Sequence, residues 1–206
     1  MATLRLGANP SGKEDPTSPP TLIALTGGPG AGKTAVLEMA SRALSDQVAL
    51  LPEAASLVFG GGFPRHDSLA GRQASQRAIY RIQRELEELV LQERKVRFAL
   101  CDRGTVDSLA YWPGPLDEFF DQVGSTHEAE LTRYAAVLHL RTPGADSGYN
   151  HQNTLRIETP DEALRIDERI LEVWDGHPNR VVIPSSRGFL EKASLALNQL
   201  SEWLEA

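Results

Sequence analysis

The sequence predicts a three-layer α/β domain of the P-loop type, a five-stranded parallel β-sheet with helices on both faces. Three observations predict it. Five short, nearly continuous apolar runs alternate with helical patterns, as strands buried on both faces of a parallel sheet do. The first run passes through a glycine-rich turn directly into a helix. The length, 206 residues, suits one α/β domain able to bury a full core.

Taken in order, residues 1–20 ("GANPSGKEDPTSPP" and its flanks) are too polar and too broken to join a core, and are expected to form a disordered tail. Residues 21–206 are expected to form the single folded domain. The first strand, "TLIALT", starts at Thr21, and "AVLEMASRAL" is the helix after the turn. The second strand, "VALLPE" from Val48, ends on Glu53. "FGGGFPRHD", residues 59–67, has no lysine-threonine pair and no strand before it, which predicts a substrate-side loop. The next helix shows Ile79, Ile82, Leu86, Leu89 and Val90 on one expected inner face. The third strand, "VRFALCD" from Val96, delivers Asp102 at its end. The fourth, "AAVLHLRT" from Ala135, runs into a long irregular stretch that predicts a lid over about residues 142–160, with a helix from about Asp161. "RVVIPS" from Arg180 is the fifth strand. The last helix is expected to bury Phe189, Ala193, Leu197, Leu200 and Leu204, leaving Trp203 to surface and edge packing.

The turn after the first strand carries the chemistry. Gly27, Gly32, Lys33 and Thr34 spell G-x-x-x-x-G-K-[ST] in the strand-turn-helix context that the motif needs. From Gly27 through Gly28, Pro29, Gly30, Ala31 and Gly32 to Ala35, backbone N–H groups can wrap an anion. Glycines remove the Cβ clashes, and the helix start adds unpaired N–H groups and a positive dipole end. Lys33 would reach the β- and γ-phosphates, and the Thr34 hydroxyl would ligate Mg²⁺.

A parallel sheet would bring Asp102 beside this loop, where it can help to hold Mg²⁺ directly or through water. The residue after it is Arg103 and not the glutamate that polarises water in hydrolytic AAA-type ATPases, so an ordinary hydrolytic centre is not expected. No guanine-selecting N-K-x-D occurs, and "DQVG" at Asp121 sits at an apparent helix end, not after a strand. "DRG" resembles instead the D-R or E-R pair of small P-loop nucleoside and nucleotide kinases. Glu53 follows the second strand, where a carboxylate can accept the proton of an attacking hydroxyl. A helix N-terminal acid stabilised by the dipole is the alternative for that residue.

A formal charge of -7 argues against nucleic acid as the main partner, because duplex binding relies on neutralising phosphates. The single cysteine, Cys101, excludes an internal disulfide or a multi-cysteine zinc site and makes a cytoplasmic location the default. No signal segment or apolar run of membrane-spanning length is present, so no membrane partner is expected. The five histidines lack zinc-site spacing. His139 lies within the fourth strand as an expected core residue, and His151 falls in the lid. Tyr111, Trp112 and Phe63 are open between substrate stacking and packing.

Four segments in order, "TGGPGAGKT", "LPEAA", "CDRGTVDSLAY" and "RIETPDEALRI", resemble the AAA-domain P-loop family that includes the nicotinamide-riboside kinase domain of bacterial NAD regulators. The resemblance implies an adenylate-kinase-like strand order of 2-3-1-4-5, with ATP, or GTP as the alternative, and Mg²⁺ as ligands. It implies substrate-side roles for Glu53 and Arg103 and a charge-stabilising lid role for Arg156. Arg165 and Arg169 are weaker candidates, because solvated helix arginines are common. The expected activity is transfer of a γ-phosphoryl group to a small, nucleoside-like acceptor. A nucleotide-dependent switch acting on a protein partner, a slow NTPase and a homodimer remain open alternatives.

Overall fold

The computed structural model describes residues 18–44, 48–144, 159–185 and 188–205. Most of the expected tail, most of the expected lid, Arg156 and His151 lie outside the described residues. The sheet contains β1 (Thr21–Thr26), β2 (Val48–Leu51), β3 (Phe98–Asp102), β4 (Ala136–Leu140) and β5 (Arg180–Ile183), all parallel, in the order β2-β3-β1-β4-β5. Both the parallel sheet and its strand order agree with the sequence expectation.

The helices are α1 (Lys33–Ala43), α2 (Ala54–Gly60), α3 (Leu69–Glu93), α4 (Asp107–Tyr111), α5 (Leu116–Val123), α6 (His127–Leu131), α7 (Pro160–Val173) and α8 (Phe189–Glu205). Because strand side chains alternate between faces, each strand feeds two cores. Ile23, Leu25, Leu100 and Leu138 pack with α1 and α8 on one face. Leu22, Ala24, Ala99 and Val137 pack with helices from α3 to α7 on the other, around the fully buried Trp174.

Register decides where the functional end lies. Leu25 pairs with Asp102 across β1 and β3, and Thr26 with His139 across β1 and β4. The C-terminal ends of these strands therefore finish together, where parallel α/β sheets place their ligands.

Three packing expectations are corrected. On α3, Ile82 and Leu89 are exposed, while Tyr80, Gln83 and Glu87 are buried. The inward face is polar because Glu87 accepts from Tyr134, Gln83 and Arg133, whereas Leu86 and Val90 only flank the core. On α8, Phe189 is exposed and Trp203 is a buried core residue. Trp203 completes the α1/α8 layer, so it is not edge packing.

Candidate functional site

The phosphate-loop segment starts as β1 ends. Gly27 has φ 132°, and a Cβ there would lie 2.0 Å from the Leu140 carbonyl oxygen, so only glycine lets β1 turn across the end of β4. Side chains from both helical layers then pin the loop. Asp167 of α7 is fully buried, and its Oδ1 accepts from the Gly28 N–H at 2.8 Å and lies 3.0 Å from His139 Nε2. Its Oδ2 takes the Thr142 N–H at 3.2 Å and Arg141 Nε at 2.7 Å. From α8, Lys192 donates to the Ala31 carbonyl at 2.7 Å and to the Arg141 carbonyl. Burial lowers its ammonium from 10.5 to about 8.

Within the loop, Lys33 is buried and its Nζ donates to the carbonyls of Gly27 (2.8 Å) and Gly28 (3.1 Å). Burial, reinforced by the Arg103 charge, lowers it from 10.5 to about 8. Helix α1 begins at Lys33 without a side-chain cap, and Thr34 is exposed in its first turn. Asp102 is 8% exposed, and its Oδ1 has no hydrogen-bond partner among the described residues. Burial raises Asp102 from 3.8 to about 6 against the pull of Lys33. A buried acid oxygen without a donor is rare in folded proteins. Beside an uncapped helix start and an ammonium, it fits a phosphate chain with a hard cation. Among the described residues no cluster of three or more His, Cys, Asp or Glu could cage a metal, so a cation here would complete its shell from phosphate and water oxygens.

Next to the loop stands an ion-pair chain. Arg103 Nε donates to Glu53 Oε1 at 2.8 Å, and its Nη1 donates to Asp107 Oδ2 at 3.0 Å and to the Gly27 carbonyl at 3.2 Å. Asp107 also sits 2.7 Å from the Thr26 hydroxyl and accepts from Trp174 Nε1 at 2.6 Å. Ser56 donates to the second oxygen of Glu53 at 2.5 Å. Burial pushes Glu53 upward, but the Arg103 and Lys33 charges and the Ser56 bond outweigh it and bring the carboxyl from 4.5 to about 2.

A cavity of about 530 Å³ opens from this chain, bounded by Pro29, the Glu53–Arg103 pair, and residues of α2, α3, α4 and α7. Lys33, Glu53, Asp102 and Arg103, chosen from the sequence, are thus brought to one place. Asp107, Asp167, Lys192 and Thr26 were not identified from the sequence, and of these only Asp107 lies near a residue that was, four positions after Arg103. The aromatic alternatives divide. Tyr111 lines the cavity, whereas Trp112 is core, packed edge-on against Phe119 at 5.1 Å. Phe63 faces a separate apolar groove, and Phe59, under the Arg65 guanidinium at 3.7 Å, takes the cavity position. Gly124 gives "DQVG" its glycine as the left-handed cap of α5, with no strand nearby in sequence. His139 is fully buried, as expected for a core residue.

A family model described as an AAA domain matches residues 22–192. No curated protein matches the sequence significantly. Among solved structures, a NadR protein in complex with NR has a TM-score of 0.65 at 14% identity, covering 91% of this chain and 50% of that one. A NadR protein in complex with NAD and AMP-PNP has a TM-score of 0.63 at 12% identity, with the same coverage. Deoxyadenosine kinase from M. mycoides with bound dATP has a TM-score of 0.63 at 13% identity, covering 88% of this chain and 100% of that one. The chain therefore spans about half the length of the NadR proteins. At these identities the likeness establishes a shared kinase-like P-loop fold.

Proposed function

We propose that this chain, which belongs to the AAA-domain family matched above, is a Mg²⁺-dependent P-loop phosphotransferase that moves the γ-phosphoryl group of ATP to a small, nucleoside-like acceptor. The observation that carries this reading is Arg103, which touches the Gly27 carbonyl of the loop with one nitrogen and Glu53 of the cavity with another. A loop that only stored or hydrolysed a nucleotide has no need of a cavity with a positioned carboxylate at its mouth.

In this reading the backbone from Gly27 to Ala35 holds the phosphate chain, and Lys33 exchanges its two carbonyl contacts for phosphate oxygens. Thr34 and Asp102 would hold Mg²⁺, which when bound would supply neutralisation of phosphate charge. Arg103 stabilises charge on the group in transfer and fixes the direction of Glu53. Ionised at neutral pH, Glu53 accepts a hydrogen bond from the acceptor hydroxyl and then its proton as the oxygen bonds to phosphorus. Positioning and electrostatics supply most of the rate. The deoxyadenosine kinase and NadR neighbours, with their bound dATP, AMP-PNP and NR, favour a nucleotide donor and a nucleoside-like acceptor.

The test is acceptor-dependent ADP or GDP formation, with ATP or GTP, Mg²⁺ and pools of nucleosides, nucleotides and small metabolites. One pool should stimulate turnover at least tenfold, and Lys33→Ala, shown to be folded, should abolish it. Nucleotide binding without acceptor-stimulated turnover would instead favour a switch that captures a protein partner.

A further inference from the structure

The cavity wall is rich in arginine. Five arginines line it: Arg65 from the loop before α3, Arg72 from the first turn of α3, Arg103 from the end of β3, and Arg165 and Arg169 from α7. The sequence places Arg165 and Arg169 one helical turn apart, and with Glu162 and Ile166 they form the single face of α7 that borders the cavity. The adjoining face, with Ala163, Asp167 and Ile170, is buried against the core and the phosphate-loop segment. Arg72, Arg165 and Arg169 are exposed where they line the cavity, so an incoming anion can reach all three.

Four acids on the cavity wall, Glu53, Asp67, Asp107 and Glu162, offset much of this charge, but they are not paired with Arg72, Arg165 and Arg169 in ion pairs among the described residues. Glu53 and Asp107 are both bound to Arg103. Glu162 is engaged in the capping box at the start of α7, accepting from the Thr159 N–H and hydroxyl at 2.8 Å. Asp67 is the remaining wall acid, and Arg72, Arg165 and Arg169 form no ion pair among the described residues. Arg72, Arg165 and Arg169 gather like charge on one side of the cavity, and an anion bound there would relieve their mutual repulsion. Guanidinium forks match phosphate oxygens in pairs. Beyond them the wall includes Tyr111 and the apolar Ile79 and Ile166, a less polar side for the rest of the acceptor.

Resting on the phosphotransferase reading above, we infer that the acceptor already carries a phosphate. Its phosphomonoester lies against Arg72, Arg165 and Arg169, and a hydroxyl elsewhere on the molecule lies at Glu53. A second phosphate placed at Glu53 would meet a carboxylate that is held ionised, so the attacking group is the hydroxyl. Its oxygen forms a bond to the γ-phosphorus, the bond from that phosphorus to the β-phosphate bridging oxygen breaks with its electron pair leaving on ADP, and the hydroxyl proton passes to Glu53 and on to water. The product carries two separate phosphomonoesters.

The experiment compares matched acceptors, nucleosides with their monophosphates and sugars with their sugar phosphates, by multiple-turnover assay on the full chain, and identifies products by mass and ³¹P NMR. A kcat/KM at least tenfold higher for a phosphorylated member than for its dephosphorylated partner is expected. In Arg72→Gln and Arg169→Gln, whose side chains make no described ion pair, that ratio should fall at least fivefold. Pairs with a base and pairs without one separate nucleoside monophosphates from phosphosugars as the source. Equal or better turnover of the neutral partner overturns the inference and leaves the phosphotransferase reading standing. A diphosphate product overturns the placement of the phosphate on the arginines. Transfer to no acceptor overturns both.

Discussion

Arg103 adopts φ 75°, a left-handed backbone that non-glycine residues seldom occupy and that costs on the order of 1–3 kcal/mol. Its ion pairs to Glu53 and Asp107, and its N–H bond to the Leu25 carbonyl at 3.0 Å, hold it there and turn the guanidinium beneath the loop. The partner, Glu53, is the residue whose role is most open to measurement. Glu53→Gln keeps the shape and removes the charge, so kcat should fall by about 10²-fold or more while KM for ATP changes little. Equal losses in both would return Glu53 to a structural role. Linkage supplies a second readout. Because the carboxyl is depressed from 4.5 to about 2 in the folded state, its stabilisation is fully present above the unfolded value and is lost as pH falls through the folded one. The melting-temperature gap between wild type and Glu53→Gln should therefore narrow between about pH 5 and about pH 2. Lys33, Glu53, Asp102 and Arg103 were legible in the sequence because each belongs to a recognisable local spelling at or after the end of a strand. Asp167 and Lys192 were not, since they reach the loop from helices more than a hundred residues away.

At the scale of elements, α7 is a brace as well as a wall. Its inner face carries Asp167 to Gly28, Thr142 and Arg141, while its outer face carries Arg165 and Arg169 to the cavity. Asp167→Asn removes the charge that answers Arg141 and puts an amide donor against backbone N–H groups. Breaking a buried pair of this kind costs about 3–5 kcal/mol, or roughly 6–20 °C in melting temperature for a domain of this size. Thermal unfolding with and without ATP checks it, and an unchanged melting temperature would remove the bracing role. Helix α3 shows where periodicity failed. Its apolar stripe is displaced from its buried face, because the inner positions carry Gln83 and Glu87 as partners for Tyr134 and Arg133. Hydrophobic period cannot register a polar interior whose partners lie about forty-six residues onward. The capping box of α7, by contrast, was written locally in "TPDE" and starts the helix one residue before the expected Asp161.

Across the whole molecule, the parallel sheet was legible because buried strands and the glycine-rich turn leave strong local marks, whereas its strand order came only from the family resemblance. The two-sided core was legible only in outline, since which helix covers which face depends on crossovers that no single segment records. Register then converts architecture into chemistry by ending β1, β3 and β4 together, so the loop, Asp102 and Arg103 share one edge with the cavity. Among the described residues no helix is long and apolar enough to cross a membrane. In the proposed reading this edge is a single phosphoryl-transfer centre and not a nucleotide store. The most direct measurement follows the γ-phosphoryl group of labelled ATP through multiple turnovers in the presence of pooled phosphorylated and neutral acceptors. Label is expected in a small-molecule phosphomonoester, formed one for one with ADP and lost in Lys33→Ala. Label recovered only as inorganic phosphate, or retained on bound ATP, would contradict it.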